Sequence, residues 1–311
     1  MGIDLQGALA ALCHPLGLAL LGLCIGSFLN VVVHRLPLIM ERQWWGDVAR
    51  QMADAEDHRR VLGVAPPAAM GKLAAALEAS LAALPALGLA RPASRCPHCG
   101  HVLRWHENLP LLGWLRLGGR CSACKKPIGV RYPLVEGGCA LLFAAVGGHV
   151  GGTPLALLWC GFAATLLAAS LIDWDTTLLP DSLTLPLLWA GLIAAALGWT
   201  LPLTQSLWGA VTGYLSLWSV YWLFKLTTGK EGMGAGDFKL LAAIGAWLGP
   251  TMLLPVILAA SVIGAAVGIG MKMASSLREG RYVPFGPFLA GGGLVAMLAG
   301  PERVMSWMGW A

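Results

Sequence analysis

Four cysteines form two closely spaced pairs, Cys96-Pro-His-Cys99 and Cys121-Ser-Ala-Cys124, with 21 residues between the pairs. Each Cys-x-x-Cys turn can present two sulfur ligands to one ion, and the intervening segment can fold back to bring the pairs together. This pattern predicts a tetrahedral zinc site at Cys96, Cys99, Cys121 and Cys124. A closed site with four protein ligands has no open position for catalysis, so the zinc is expected to be structural. Redox or disulfide chemistry is the alternative for the same residues.

A second group of reactive side chains consists of carboxylates in two connections between apolar segments. Asp173 ends one apolar segment, and Asp237 begins another, directly after Gly234 and Gly236. Two carboxylates that meet can share one proton and hydrolyse a peptide bond. The ionised carboxylate removes a proton from water, while the protonated one donates to the scissile carbonyl oxygen. Helix capping and solvation in a loop are the structural alternatives for both residues.

Residues beside this carboxylate pair have predicted supporting roles. Gly234 and Gly236 leave the backbone next to Asp237 free of side chains, so that a substrate strand could approach closely. Asp181, after Pro180, is predicted to cap the following helix. Asp175 is predicted to be a solvated loop residue.

The elements that must position these residues are membrane-spanning helices. The chain has 311 residues, of which 57% are hydrophobic and 12% are charged, whereas soluble domains are about 25% charged. This composition excludes disorder and argues strongly against a soluble globular protein. We predict an all-α polytopic membrane protein with a small zinc-binding domain in the cytoplasm. The eight predicted spans cover about 9–33, 134–150, 154–172, 182–200, 205–224, 238–249, 251–271 and 285–300.

The distribution of basic residues predicts the orientation of these spans. Fourteen of the 21 Lys and Arg residues lie in the segment from Arg35 to Arg131. This asymmetry indicates which side of the membrane the segment occupies, rather than a nucleic-acid partner. Residues 1–8 contain Asp4 and no basic residue, so the N-terminus is predicted to be periplasmic. Arg278 and Arg281 then fall in a cytoplasmic loop with nearly all the other basic residues.

Three parts are predicted along the chain. Residues 1–33 form the first span, residues 34–133 form a cytoplasmic loop domain with the zinc site, and residues 134–311 form a seven-span core. An apolar helical pattern within 67–90 predicts a helix that lies on the membrane or packs within the loop domain. Gly-x-x-x-Gly pairs such as Gly209/Gly213 predict tight helix packing.

Six motifs in this order resemble the type IV prepilin peptidase family, which are membrane aspartic proteases of bacteria. Besides the two cysteine pairs, they are Gly26-Ser-Phe-Leu-Asn30-Val-Val-Val-His34-Arg35-Leu-Pro37, Arg131-Tyr-Pro-Leu-Val-Glu136, Asp173 through Pro180-Asp181, Gly234-Ala-Gly236-Asp237-Phe-Lys239 and Pro284-Phe-Gly-Pro-Phe288. The similarity covers nearly the whole chain. The segment 41–92 departs from it, because it is longer than the usual loop before the cysteines.

The resemblance implies two activities in the bacterial inner membrane, at its cytoplasmic face. The enzyme is expected to cleave a basic leader from prepilins or pseudopilins, after a Gly, and to N-methylate the new N-terminus with S-adenosylmethionine. Carried over by position, the catalytic pair is Asp173 and Asp237. The zinc ligands are the four cysteines, and the supporting residues of the catalytic loops are Asp181, Gly234, Gly236 and Lys239. Glu136 is a candidate base for methyl transfer, with a carboxylate at a helix start as the structural alternative.

Two other functions fit the residues alone. One is an ion or metal transporter with a zinc-binding regulatory loop, and the other is a membrane scaffold in which zinc organises partner binding. A transporter predicts acidic residues in the middle of broken helices. Here the acids lie at helix ends on one predicted face, which disfavours that function.

Overall fold

Helices make up almost all of the regular structure of the protein. The computed structural model describes residues 5–274 and 283–310, so Asp4, Arg278 and Arg281, which contributed to the predicted orientation, lie outside the described residues. Within the described ranges only two isolated β-bridges occur beside the helices. The prediction of an all-α protein is therefore confirmed. The helices are α1 (Leu5–Cys13), α2 (Pro15–Ala53), α3 (Ala55–Leu62), α4 (Ala68–Ala82), α5 (Leu112–Arg116), α6 (Arg131–Val150), α7 (Leu155–Thr176), α8 (Asp181–Ala196), α9 (Leu203–Thr228), α10 (Ala235–Leu248), α11 (Leu253–Met273), α12 (Gly286–Ala299) and α13 (Pro301–Trp307).

Four helical segments in the described part are long and apolar enough to cross a membrane. They are Pro15–Ala53, Arg131–Val150, Leu155–Thr176 and Pro250–Met273, the last of which includes a short 3-10 turn. Two shorter apolar helices, Asp181–Ala196 and Gly286–Ala299, accompany them. These segments agree with a multi-pass membrane protein, and the number of eight spans stays a prediction.

The first predicted span differs from the helix that the chain forms. The prediction was a span over residues 9–33, whereas α2 begins at Pro15 and continues to Ala53 without interruption. Residues after 33 are charged but rich in good helix formers, so the end of the apolar stretch does not end the helix. The helix stops where the Asp54 side chain accepts hydrogen bonds from the N–H groups of Glu56 and Asp57 and thereby begins α3.

The chain divides into two compact units, and the division falls within α2. The first unit contains residues up to Leu29 and from Gly129 onward, and the second contains Asn30–Ile128. In the second unit, the Arg35 side chain donates to the carbonyl of Gly88 at 3.0 Å, and Arg42 donates to that of Pro85 at 2.8 Å. These contacts attach the charged half of α2 to the segment that precedes the cysteines. The predicted helix within 67–90 forms over Ala68–Ala82.

In the first unit α10 is the most deeply buried helix. Its neighbours α8 and α9 approach closely because glycines face it. A Cβ atom at Gly209 in α9 would lie 2.0 Å from the carbonyl oxygen of Gly245 in α10, and one at Gly213 would lie 2.7 Å from that of Leu241. The prediction of tight packing at Gly209/Gly213 is confirmed. The Trp247 indole donates to the carbonyl of Leu187 in α8 at 2.8 Å.

Gly209→Ala is expected to destabilise the protein by about 3 kcal/mol, because the new methyl group meets backbone that cannot rotate away. Thermal unfolding in detergent, followed by tryptophan fluorescence, measures the effect. Gly161→Ala on α7 is the matched control, since a Cβ there meets nothing within 4 Å. Equal melting temperatures for Gly209→Ala and Gly161→Ala would contradict the packing of α9 against α10.

Candidate functional site

Asp173 lies one turn from the end of α7 and is only 5% exposed. The helix ends at Thr176, and Thr177 takes a left-handed conformation with φ 56°, which turns the chain toward Pro180 and α8. The backbone N–H of Gly286, the first residue of α12, donates to the Asp173 carboxylate. The carboxylate is therefore held between the end of one helix and the start of another.

Asp237 lies in the first turn of α10 and is 7% exposed. Gly234 is the N-cap residue with an extended backbone, and its N–H donates back to the Asp237 carboxylate, as in one half of a capping box. Oδ1 of Asp237 is buried without a hydrogen-bond partner among the described residues. A buried carboxylate oxygen without a partner is costly, and a site for water or substrate is one reason for a protein to retain it.

The structure brings the two aspartates into one site. The charge of Asp173 acts on Asp237, although the residues are 64 positions apart in the chain. Leu179 fills the space beside both: a Cβ at Gly236 would lie 2.7 Å from the Leu179 Cβ, and a Cβ at Gly286 would lie 3.1 Å from its Cδ1. A Cβ at Gly286 would also lie 2.5 Å from Oδ2 of Asp173, so a side chain there would displace the carboxylate.

Gly286 was not predicted as a site residue from the sequence. It stands within the Pro284–Phe288 motif, which contributes to the family resemblance but carries no predicted site residue. The lack of space for a side chain and the hydrogen bond to Asp173 become visible only once α12 is packed against α7.

Asp181 and Asp175 both pair with cations. The N-cap of α8 is Pro180, and Asp181 is the first helical residue, where a carboxylate is favourable to the helix dipole as predicted. Lys239 donates to both carboxylate oxygens of Asp181 at 2.7 Å. Asp175 was predicted to be a solvated loop residue, but it lies in the last turn of α7 and accepts from Arg131 at 2.8 Å. The Lys239–Asp181 pair joins the helix of Asp237 to the connection that follows Asp173.

A polar cluster at the end of α9 fixes the glycine-rich segment before Asp237. Lys225 donates to Oε1 of Glu231 at 2.8 Å and to the Tyr221 hydroxyl at 3.1 Å. The Tyr221 ring lies 5.6 Å from the Phe238 ring, between centroids. Glu231 precedes the Gly234–Asp237 segment, so this cluster attaches both ends of the segment to α9.

Glu136, the candidate base for methyl transfer, lies in the second turn of α6 and is 8% exposed. A Cβ at Gly26 of α2 would lie 2.7 Å from the Glu136 Cα, so the two helix backbones meet at this point. Gly26 begins the first of the motifs described above, and Glu136 ends another.

The four cysteines converge as predicted. All four sulfur atoms lie within 4.8 Å of one another. The Sγ atoms of Cys96 and Cys124 are 3.8 Å apart, and those of Cys99 and Cys121 are 3.9 Å apart. A tetrahedral zinc ion with bonds of about 2.3 Å separates its sulfur ligands by about 3.8 Å. The four residues therefore fit a metal ion of this kind, and the four thiols are free rather than joined as disulfides.

The two cysteine turns share a backbone conformation and a hydrogen bond. In each, the residue after the second cysteine takes a left-handed conformation, with φ 72° at Gly100 and φ 59° at Lys125. Its N–H donates to the carbonyl of the first cysteine, Cys96 or Cys121. Hydrogen bonds from the backbone N–H groups of His98 and Cys99 lower the pKa of Cys96 to about 7, which favours the thiolate form that binds metal.

Glu107 connects the two cysteine turns outside the sulfur cluster. Its carboxylate interacts with His101, which follows the first turn, at 3.1 Å, and the Ser122 hydroxyl in the second turn lies 3.2 Å from His101. Hydrogen bonds from Ser122, the Arg104 N–H and His101 lower the pKa of Glu107 to about 2. Hydrogen-bonded residues around a metal site commonly hold its ligands in place.

Comparison with known proteins identifies the relatives of this chain. Residues 20–150 match the bacterial peptidase A24 N-terminal domain, and residues 160–269 match the type IV leader peptidase family. A protein of Stutzerimonas stutzeri is 49% identical over 296 residues, which cover 94% of this chain and 92% of the relative. A protein of Pseudomonas aeruginosa is 47% identical over 307 residues, 96% of each chain. A protein of Aeromonas hydrophila is 46% identical over 293 residues, 93% of this chain and 91% of the relative. All three are named prepilin leader peptidase/N-methyltransferase.

The chain belongs to the type IV leader peptidase family. The family resemblance and the prediction of an enzyme are thereby confirmed. Membership and the apolar helices together agree with a multi-pass protein of the inner membrane. No solved structure matches the chain.

Proposed function

We propose that this protein cleaves the basic leader from prepilins or pseudopilins with Asp173 and Asp237, and that it then N-methylates the new N-terminus. The observation that carries the proposal is the burial of two interacting carboxylates, from α7 and α10, in a chain of the leader peptidase family. The relatives' names supply both activities.

The proposed hydrolysis needs one proton shared between the two aspartates. The ionised carboxylate takes a proton from water, and the resulting hydroxide attacks the carbonyl carbon before the scissile bond. The protonated carboxylate donates to the carbonyl oxygen, which gives a tetrahedral gem-diol. On collapse, the carboxyl group that took the proton from water gives it to the leaving nitrogen, and the other carboxylate takes one diol proton back. The C–N bond then breaks, the leader leaves as an acid and the pilin as an amine. The unpartnered Oδ1 of Asp237 is available to the water or the substrate, whereas Gly286 holds Asp173 in position.

The proposed location is the cytoplasmic face of the inner membrane, with a periplasmic N-terminus. A prepilin keeps its basic leader in the cytoplasm and its apolar stem in the bilayer, so its cleavage site lies at that face. Leu179 fills the space over Gly236 and Gly286, beside the two aspartates, and only the backbone of Gly234 is open there. Such a confined site suits a substrate with Gly before the scissile bond.

The proposed peptidase is tested by incubating the purified protein, in lipid, with a prepilin that carries its leader and stem. The expected result is a product shortened by the leader, and replacement of the substrate's Gly by Leu should abolish it. A transporter or a scaffold predicts no shortened product from either substrate.

Methylation is proposed to use S-adenosylmethionine, which supplies an electrophilic methyl group, and a site separate from the aspartate pair. The acceptor must be a neutral amine, so a group of this protein has to take its proton. Glu136, buried beside Gly26, is the candidate base.

Cleavage and methylation are therefore expected to be separable. Asp237→Asn should still methylate a pilin whose leader is already absent, because the aspartates have no role in methyl transfer. Glu136→Gln should cleave but leave the product unmethylated, and the mass of the pilin N-terminus distinguishes these outcomes. Normal methylation by Glu136→Gln would give Glu136 a structural role, and loss of methylation in Asp237→Asn would mean that both reactions share residues.

For the cysteine cluster we propose structural zinc. The ligands would be Cys96, Cys99, Cys121 and Cys124, and the ion would hold the two turns together without entering the chemistry.

A further inference from the structure

The segment that contains the cysteine turns, residues 88–128, has a strongly basic surface. We name it the cysteine domain. It contains seven Lys and Arg residues and a single acidic residue, Glu107. Glu107 is 6% exposed at its side chain and already bound within the domain, so it does not offset the surface charge. All seven cations are exposed, and within the described residues none forms an ion pair: Arg91, Arg95, Arg104, Arg116, Arg120, Lys125 and Lys126.

The same domain exposes large apolar side chains on one short helix. In α5 Leu112 and Leu115 are 65% and 63% exposed, and Arg116 follows them on the same face. The opposite face is the packed one: Gly113 is buried, and the Trp114 indole donates to the carbonyl of Ile128 at 3.2 Å. The helix therefore turns its leucines away from its own domain.

Trp105 lies in the turn that supports this helix and is 78% exposed. The turn is attached to α5, because a Cβ at Gly113 would lie 2.2 Å from the carbonyl oxygen of Glu107. The domain therefore exposes a tryptophan and two leucines, with Arg104 and Arg116 beside them in the chain, on one short segment whose turn packs against α5.

We infer that the cysteine domain binds anionic phospholipid headgroups, with Trp105, Leu112 and Leu115 entering the interfacial layer and the surrounding Arg and Lys residues contacting phosphates. Exposed aromatic and aliphatic side chains surrounded by cations are the pattern of an interfacial membrane contact. A nucleic acid or an acidic protein would use the cations but gain little from exposed leucines. The domain also precedes an apolar helix in the chain, because only two residues separate Ile128, where the domain ends, from Arg131, where α6 begins.

The test compares hydrogen exchange of the full chain in two bilayers. The protein is placed in nanodiscs of phosphatidylcholine alone or of phosphatidylcholine mixed with phosphatidylglycerol, and exchange is measured by mass spectrometry over residues 104–118. We expect slower exchange in the anionic discs, reversed by high salt. The double variant Arg116→Gln with Arg120→Gln should remove the difference in exchange rate between the two bilayers. Each neutralised charge is expected to lower the protection from exchange about fivefold.

Arg59→Gln with Arg60→Gln on α3 is the matched control, since these two cations lie outside the cysteine domain and should leave the difference unchanged. The metal content of each variant shows whether the cysteine domain is intact. Leu112→Ser with Leu115→Ser should also remove the protection, and unchanged protection in that variant would overturn the insertion of the two leucines. Equal exchange in both discs would overturn the inference, as would protection that appears only on adding RNA. The variant with both Arg116→Gln and Arg120→Gln should still cleave a prepilin in detergent. This assay distinguishes a failure of the lipid-binding inference from a failure of the proposed peptidase function.

Discussion

Replacing Asp173 or Asp237 by Asn is expected to lower prepilin cleavage by at least about a thousandfold. Asparagine keeps the size of the side chain but can neither take a proton from water nor share one with its partner. Both residues are nearly fully buried, so the change removes chemistry rather than surface charge. The rate of appearance of cleaved pilin in a reconstituted assay measures the effect, with membrane insertion checked separately.

Two further variants, one with both aspartates replaced and one at the neighbouring Asp175, test whether the loss of cleavage is specific to the aspartate pair. Asp173→Asn with Asp237→Asn should be little worse than either single change, because the pair acts as a unit. Asp175→Asn is the control, since Asp175 lies two residues from Asp173 but pairs with Arg131. Near-normal cleavage by Asp173→Asn would transfer the role to Asp175 or Asp181.

Cys96→Ser and Cys121→Ser are each expected to abolish metal binding at the cysteine cluster. Structural zinc contributes about 10–16 kcal/mol to such small domains, and a serine hydroxyl does not replace a thiolate. The purified wild-type protein should contain one zinc ion per chain by elemental analysis. The variants should contain none, and their cysteine domain should become sensitive to protease.

Cys24→Ser is the control for the cysteine variants. Cys24 is exposed on α2 and is not one of the four clustered cysteines, so the Cys24→Ser protein should retain full metal content. Iron in place of zinc, or two disulfides in freshly prepared protein, would overturn the proposal of a structural zinc site.

Some features of the site were predictable because the sequence encodes them locally. The two Cys-x-x-Cys turns each determine their own geometry, and their separation allows the pairs to meet. Asp173 and Asp237 are acids at the ends of apolar segments, where an ionisable residue is unusual. The convergence of the cysteines required only that the chain fold back between them.

Other features depend on which helices pack together, and no local pattern encodes that. Lys239 and Asp181 are 58 residues apart and meet only because α10 packs beside α8. The contact of Gly286 with Asp173 likewise depends on α12 lying against α7. The length of α2 was missed for a different reason, because hydropathy reports where a helix leaves an apolar environment and not where its hydrogen bonding ends.

A binding measurement tests most directly whether Asp173 and Asp237 act together on the scissile carbonyl. The ligand is a prepilin segment whose scissile peptide bond is replaced by a hydroxyethylene group, which mimics the tetrahedral species, and the reference ligand lacks only the hydroxyl. We predict that the hydroxyl strengthens binding to the wild-type protein by at least about a hundredfold, and that Asp237→Asn eliminates this gain. Equal affinities of the two ligands for the wild-type protein would contradict the aspartate pair as the hydrolytic site.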